Sequence, residues 1–153
     1  MEQSMNVGNK NATGFTLIEL LITVAVAVVL ATIAVPGFQN MVKTNRLVAD
    51  YNEILATLNY ARSEAVKRRV DVSAVVDSSG PWKISVDASD AVGTLRVSEG
   101  RDARVSISGP SSVVFNSLGR RSSCGGEIPC QLEVAIAGED SKTIEISSSG
   151  SIN

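Results

Sequence analysis

Histidine does not occur anywhere in the 153 residues. Imidazole acid–base catalysis, Ser/His and Cys/His nucleophilic pairs and His-ligated metals are therefore excluded. Cysteine occurs only twice, too few for a four-thiolate zinc site. Aromatic residues are scarce: three Phe, two Tyr and one Trp give little from which to build a base-stacking platform. Charge of either sign is also modest. Fourteen Lys and Arg stand against sixteen Asp and Glu, a net charge of −2, unlike the strongly basic balance of a dedicated polyanion binder. The length suits one domain, or one small domain with an appendage.

Charge is scarcest between Phe15 and Val35. The run FTLIELLITVAVAVVLATIAV holds a single ionisable side chain, Glu19. As a helix it would extend roughly 31 Å, the thickness of a bilayer's hydrocarbon core. A buried soluble helix of that length would show a polar face, whereas this one offers only Thr16, Thr23, Thr32 and Glu19. A membrane span is the expectation. A cleaved secretory signal is the rival, with Ala31 and Ala34 imitating its processing site. The length of the run and its continuation into a helical pattern favour retention. Cations on the two sides, Lys10 against Lys43 and Arg46, do not fix the orientation.

Beyond Pro36-Gly37 the pattern becomes amphipathic. Phe38, Met41, Val42, Leu47, Val48, Tyr51, Ile54, Leu55, Leu58, Ala61 and Ala65 recur at steps of three and four. The spacing predicts one helix to about Arg69, kinked at Pro36, where a backbone donor is lost. The closing cations Lys67-Arg68-Arg69 suit the negative end of a helix dipole better than a polyanion site.

From Val70 the period switches to two. Six or seven short strands are predicted, around residues 70–74, 83–86, 95–97, 104–107, 113–115, 132–136 and 143–146, forming an antiparallel, meandering sheet. Some 84 residues of sheet make a small core, so the amphipathic half-helix is expected to supply the second layer. The fold class is thus α+β: a long N-terminal helix on a small antiparallel β domain. Cys124 and Cys130 bracket Gly-Gly-Glu-Ile-Pro, too far apart for a CxxC redox pair. A structural disulfide is expected. It puts the β domain in an oxidising compartment and gives about 2 kcal/mol through so short a loop.

The stretch Gly14-Phe15-Thr16-Leu17-Ile18-Glu19-Leu20-Leu21 resembles the leader junction of type IV pilin-like proteins, with Pro36 further along the helix. Tyr60-Ala61-Arg62-Ser63-Glu64-Ala65-Val66, followed by a β domain, is similar to the GspH/FimT/FimU group of minor pilins and pseudopilins. The resemblance implies removal of a leader, residues 1–14, by a prepilin peptidase cutting between Gly14 and Phe15. It implies N-methylation of Phe15, a role for Glu19 in subunit assembly, and polymerisation with other pilins into a type IV pilus or a type II secretion pseudopilus. The remaining boundaries follow: 15–35 in the inner membrane, 36–69 amphipathic helix, 70–153 a periplasmic β domain. Physics agrees at Glu19, because a lone carboxylate in a bilayer is costly and the α-amine freed at Phe15 of a neighbouring subunit can neutralise it. Thr16 and Thr23 read as helix-packing hydroxyls.

The alternative is a DNA-binding minor pilin for natural transformation. The FimT branch carries a C-terminal Gly-Arg-x-Arg motif; here Gly150-Ser151-Ile152-Asn153 stands in its place, without either arginine. Arg101, Arg104, Arg120 and Arg121 remain as candidate phosphate contacts, diluted by Glu99, Asp102 and Glu127. Nucleic acid is accordingly not the expected partner. No nucleophile–base pair is visible, so no enzymatic activity and no cofactor are expected. Asp87 with Asp90, and Glu99 with Asp102, read as solvated turn acids whose pattern is not specific for calcium or any other metal.

Overall fold

The computed structural model describes residues 14–90, 92–126 and 128–153. Most of the expected leader, with Lys10, and also Glu127 lie outside the described residues. The chain divides into two compact units, Met1–Gln39 and Asn40–Asn153. One helix, α1 (Leu17–Arg68), contributes to both.

In the first unit, α1 buries no side chain among the described residues. Its most apolar stretch has a mean hydropathy of 2.7 and is entirely uncovered, with Leu17, Ile22, Leu30 and Ile33 all more than half exposed. The helix is unbroken through Pro36 and Gly37.

In the second unit, Leu47, Ile54, Leu58, Ala61 and Ala65 form the buried stripe of α1. Their spacing of seven, four, three and four residues keeps them on one face. Phe38 and Met41, expected on the same stripe, are 68% and 62% exposed. The helix ends one residue earlier than expected, because Arg69 turns left-handed (φ 59°) and closes the last turn.

Among the described residues eight strands follow: β1 (Val72–Asp77), β2 (Lys83–Ala88), β3 (Thr94–Glu99), β4 (Val105–Ser108), β5 (Ser112–Phe115), β6 (Arg121–Ser123), β7 (Gln131–Ile136) and β8 (Lys142–Glu145). They form two antiparallel sheets, not the single meander expected. One has the order β3-β2-β1-β5-β6 and the other β4-β7-β8. Strand β6 was not foreseen, since Arg-Ser-Ser carries no apolar alternation; it is held by pairing with β5. The alternation that was legible sets which side chains face inward. Val72 and Ala74, Ile84 and Val86, Val113 and Phe115 line one sheet; Val105 and Ile107, Leu132, Val134 and Ile144 line the other. All join the helix stripe and the fully buried Trp82 in one core.

Candidate functional site

At the N-terminal motif, none of the described residues approaches within 4 Å of the position a Gly14 side chain would take, and Phe15 is 85% exposed. Thr16 has a role within its own helix. Its Oγ1 accepts the Glu19 backbone N–H at 3.2 Å, so Thr16 caps α1. The signal was present as Thr-x-x-Glu, the pattern of a capping box. Thr23 Oγ1 donates to the Leu20 carbonyl at 2.8 Å, which satisfies it within its own helix. Glu19 projects from a turn with no protein cover.

The Tyr60–Arg68 stretch is fixed by charge. Glu64 is buried on α1 and accepts Lys67 Nζ at 3.1 Å and Arg68 Nε at 2.8 Å. The Arg68 hydrogen bond, then that of Lys67, holds its carboxyl below the usual carboxylate range. Arg68 also reaches Asp90 at 3.2 Å, tying the helix end to the β2–β3 turn. Lys67 and Arg68 thus have specific partners besides the helix dipole. Upstream, Arg62 Nε donates to the Gly119 carbonyl at 3.0 Å, and Arg96 lies 5.5 Å from the Tyr60 ring centre while pairing with Glu53 at 2.8 Å. These tertiary contacts had no local signature.

The four arginines considered for phosphate contact do not form one patch. Arg101 follows β3, and Arg120 and Arg121 lead into β6, the opposite edges of the five-stranded sheet. Four strand spacings separate those edges, about 19 Å. Arg104 is committed to Asp102, donating to both its oxygens at 3.0 and 2.8 Å, and Arg46 binds the same carboxylate. The Arg104 hydrogen bonds, first among several partners, hold the Asp102 carboxyl well below its ordinary range. Asp87 is likewise engaged, by Ser85 and Thr94. Among the described residues no cluster of three acidic or thiol side chains is arranged to hold a metal.

Cys124 and Cys130 are joined in a disulfide, with Cα atoms 5.9 Å apart. Both are core residues, 6% and 2% exposed. Cys124 follows β6 and Cys130 precedes β7, so the bridge links an edge strand of one sheet to the central strand of the other. The short loop was legible in the sequence; its place between the sheets was not. Replacing both cysteines by alanine is expected to cost about 2 kcal/mol of stability and to make residues 124–130 protease-sensitive, without unfolding the chain. Denaturant unfolding with limited proteolysis checks this, and an unchanged midpoint would contradict it.

Comparison with known proteins places this geometry. The family described as type II transport protein GspH matches residues 50–150, and the prokaryotic N-terminal methylation motif matches residues 9–35. The crystal structure of the type IV minor pilin FimU of Pseudomonas aeruginosa superposes with a TM-score of 0.59 at 24% identity, covering 74% of this chain and 90% of that one. A second crystal form of FimU gives 0.52 at 23% identity, covering 67% and 86%. At such identities the likeness is one of fold: a long apolar N-terminal helix continuing onto antiparallel sheets. The family match extends from the helix stripe through both sheets to Gly150, and the chain belongs to the GspH family of pilin-like type II transport proteins.

Proposed function

We propose that the chain is a minor pilin or pseudopilin, a structural subunit that helps initiate or cap a fibre of the type IV pilus or type II secretion class. The observation that carries this reading is the 52-residue helix α1. Its first part exposes an apolar surface that none of the described residues covers, and its second part is built into a folded core. Uncovered apolar surface on that scale needs lipid or other helices around it. In this reading residues 15–35 anchor the chain once in the bacterial inner membrane, and the disulfide-containing domain lies in the periplasm. Prepilin peptidase cuts between Gly14 and Phe15, Phe15 is N-methylated, and neighbouring pilins then replace lipid around the helix. The DNA-uptake alternative gains nothing from arginines divided between two sheet edges.

Mass spectrometry of the mature N-terminus tests the reading. The expected species begins at N-methylated Phe15 and sediments with the membrane. A mature chain beginning after Ala31 or Ala34 would overturn the anchor and the fibre role together.

A further inference from the structure

The backbone changes character within a few residues of the leader junction. Gly14, Phe15 and Thr16 lie outside any helix, and α1 begins at Leu17. The first helical hydrogen bond runs from the Leu20 N–H to the Thr16 carbonyl at 3.1 Å. A helix continued upstream would bond the Glu19 N–H to the Phe15 carbonyl and the Ile18 N–H to the Gly14 carbonyl. Neither bond is present among the described residues. The Glu19 N–H is held instead by the Thr16 hydroxyl oxygen at 3.2 Å. Thr16 thus competes with the Phe15 carbonyl for one donor, and by winning it stops the helix short of Phe15.

The sequence makes such a stop necessary. From Phe15 to Val35 it has neither Gly nor Pro and a single charge, so nothing else in the run opposes a helix. Gly14 is a weak barrier, about 1 kcal/mol against alanine. The junction is also bare: no described residue comes within 4 Å of a Cβ built on Gly14, and Phe15 is 85% exposed. Backbone that is uncovered and free of hydrogen bonds is the kind that peptidases cut. Hydrolysis here adds water to the Gly14 carbonyl carbon and breaks its bond to the Phe15 nitrogen. Gly14 keeps the carboxylate and Phe15 leaves with a protonated α-amine. A Gly14 carbonyl tied to the Ile18 N–H would have to give up that bond first.

We propose that Thr16 is a positioning residue for leader removal: by capping α1 at the Glu19 N–H, its hydroxyl keeps the Gly14–Phe15 bond out of the helix and open to the prepilin peptidase. The proposal rests on the processing reading above. Thr16 takes no part in breaking the bond; it sets the fraction of chains whose junction is open. A junction wound into the helix does not bind, which raises the apparent KM in proportion and leaves kcat unchanged. The rival is direct recognition of the hydroxyl by the peptidase.

The test uses the full chain in detergent with purified prepilin peptidase, and mass spectrometry to locate the cut. Thr16→Ala removes the cap and puts the best helix former in its place. Its KM is expected to rise roughly fivefold at unchanged kcat, the equivalent of one lost cap. The cut still goes to completion, so the mature pool in cells is not depleted. Thr16→Ser keeps the hydroxyl and should match the wild type. Thr16→Gly lacks the hydroxyl but starts a helix almost as well, so its KM should stay within about twofold of the wild type. A wild-type KM for Thr16→Ala would overturn the proposal. Equal impairment of Thr16→Gly and Thr16→Ala would also overturn it, by showing that the peptidase reads the hydroxyl itself. A wild-type chain left uncut between Gly14 and Phe15 would overturn the processing reading, and this role with it.

Discussion

Glu19→Ala is expected to be processed and to stay in the membrane, yet to reach sheared fibres at roughly a tenth of the wild-type share or less. Near the end of an uncovered apolar helix the carboxylate can reach the bilayer interface at modest cost, so insertion does not depend on it. In a fibre core, water is excluded and helices replace lipid. The α-amine freed at Phe15 then needs an anion, and alanine leaves it buried and unpaired, a loss of about 3 kcal/mol or more. Thr16→Ala separates charge from helix structure. It removes the cap on the Glu19 N–H, worth about 1 kcal/mol, and leaves the carboxylate in place, so it should assemble nearly normally. The measurement is the amount of each variant in sheared fibres against its membrane pool. Wild-type incorporation of Glu19→Ala would end the assembly role given to this residue. Equal failure of both variants would move the cause to the helix end.

What could be read in advance was what periodicity and composition encode. Twenty-one residues with one charge announced an uncovered helix, and steps of three and four announced the stripe from Leu47 to Ala65. Period two located seven of eight strands, because inward and outward faces must alternate wherever one side is buried. It could not say which strands pair. β5 returns to β1 across the 34 residues between Asp77 and Ser112, and β4 leaves for the other sheet to join β7. Both choices rest on contacts distant in sequence, which alternation does not encode. The same limit applied to the site. The cysteine pair and the N-terminal methylation motif are local patterns and were legible. Arg62 on Gly119 and Arg68 on Asp90 exist only once the sheets are in place. Phe38 and Met41 fit the helical spacing and still lie outside the core, because spacing records a face and not where its cover begins.

The tightest of these distant contacts gives the largest expected effect on stability. Gly150 keeps the glycine of the Gly-Arg-x-Arg pattern although both arginines are gone, and the fold supplies a reason unrelated to nucleic acid. It is buried with φ of 86°, and a Cβ there would run into the carbonyl oxygen of Gly119. Gly119 is confined in turn: its φ is 71°, its own Cβ would lie 2.9 Å from Val66 Cγ2, and its carbonyl holds Arg62. The Tyr60–Arg68 stretch of α1, the β5–β6 turn and the C-terminal turn therefore cross at a point with no room for a methyl group. Gly150→Ala adds left-handed strain of about 1–2 kcal/mol to overpacking of similar size, about 3 kcal/mol together. That corresponds to a fall of about 10–20 °C in melting temperature. The fluorescence of Trp82, the only tryptophan and wholly buried, reports the transition without interference from the exposed part of the helix. Gly80→Ala is the comparison, since Gly80 has φ of 110° and open space around it, and should show the strain alone. A Gly150→Ala shift no larger than that of Gly80→Ala would mean the three segments do not meet as closely as described, and Arg62 would lose its role as the residue that fastens the β5–β6 turn to the helix.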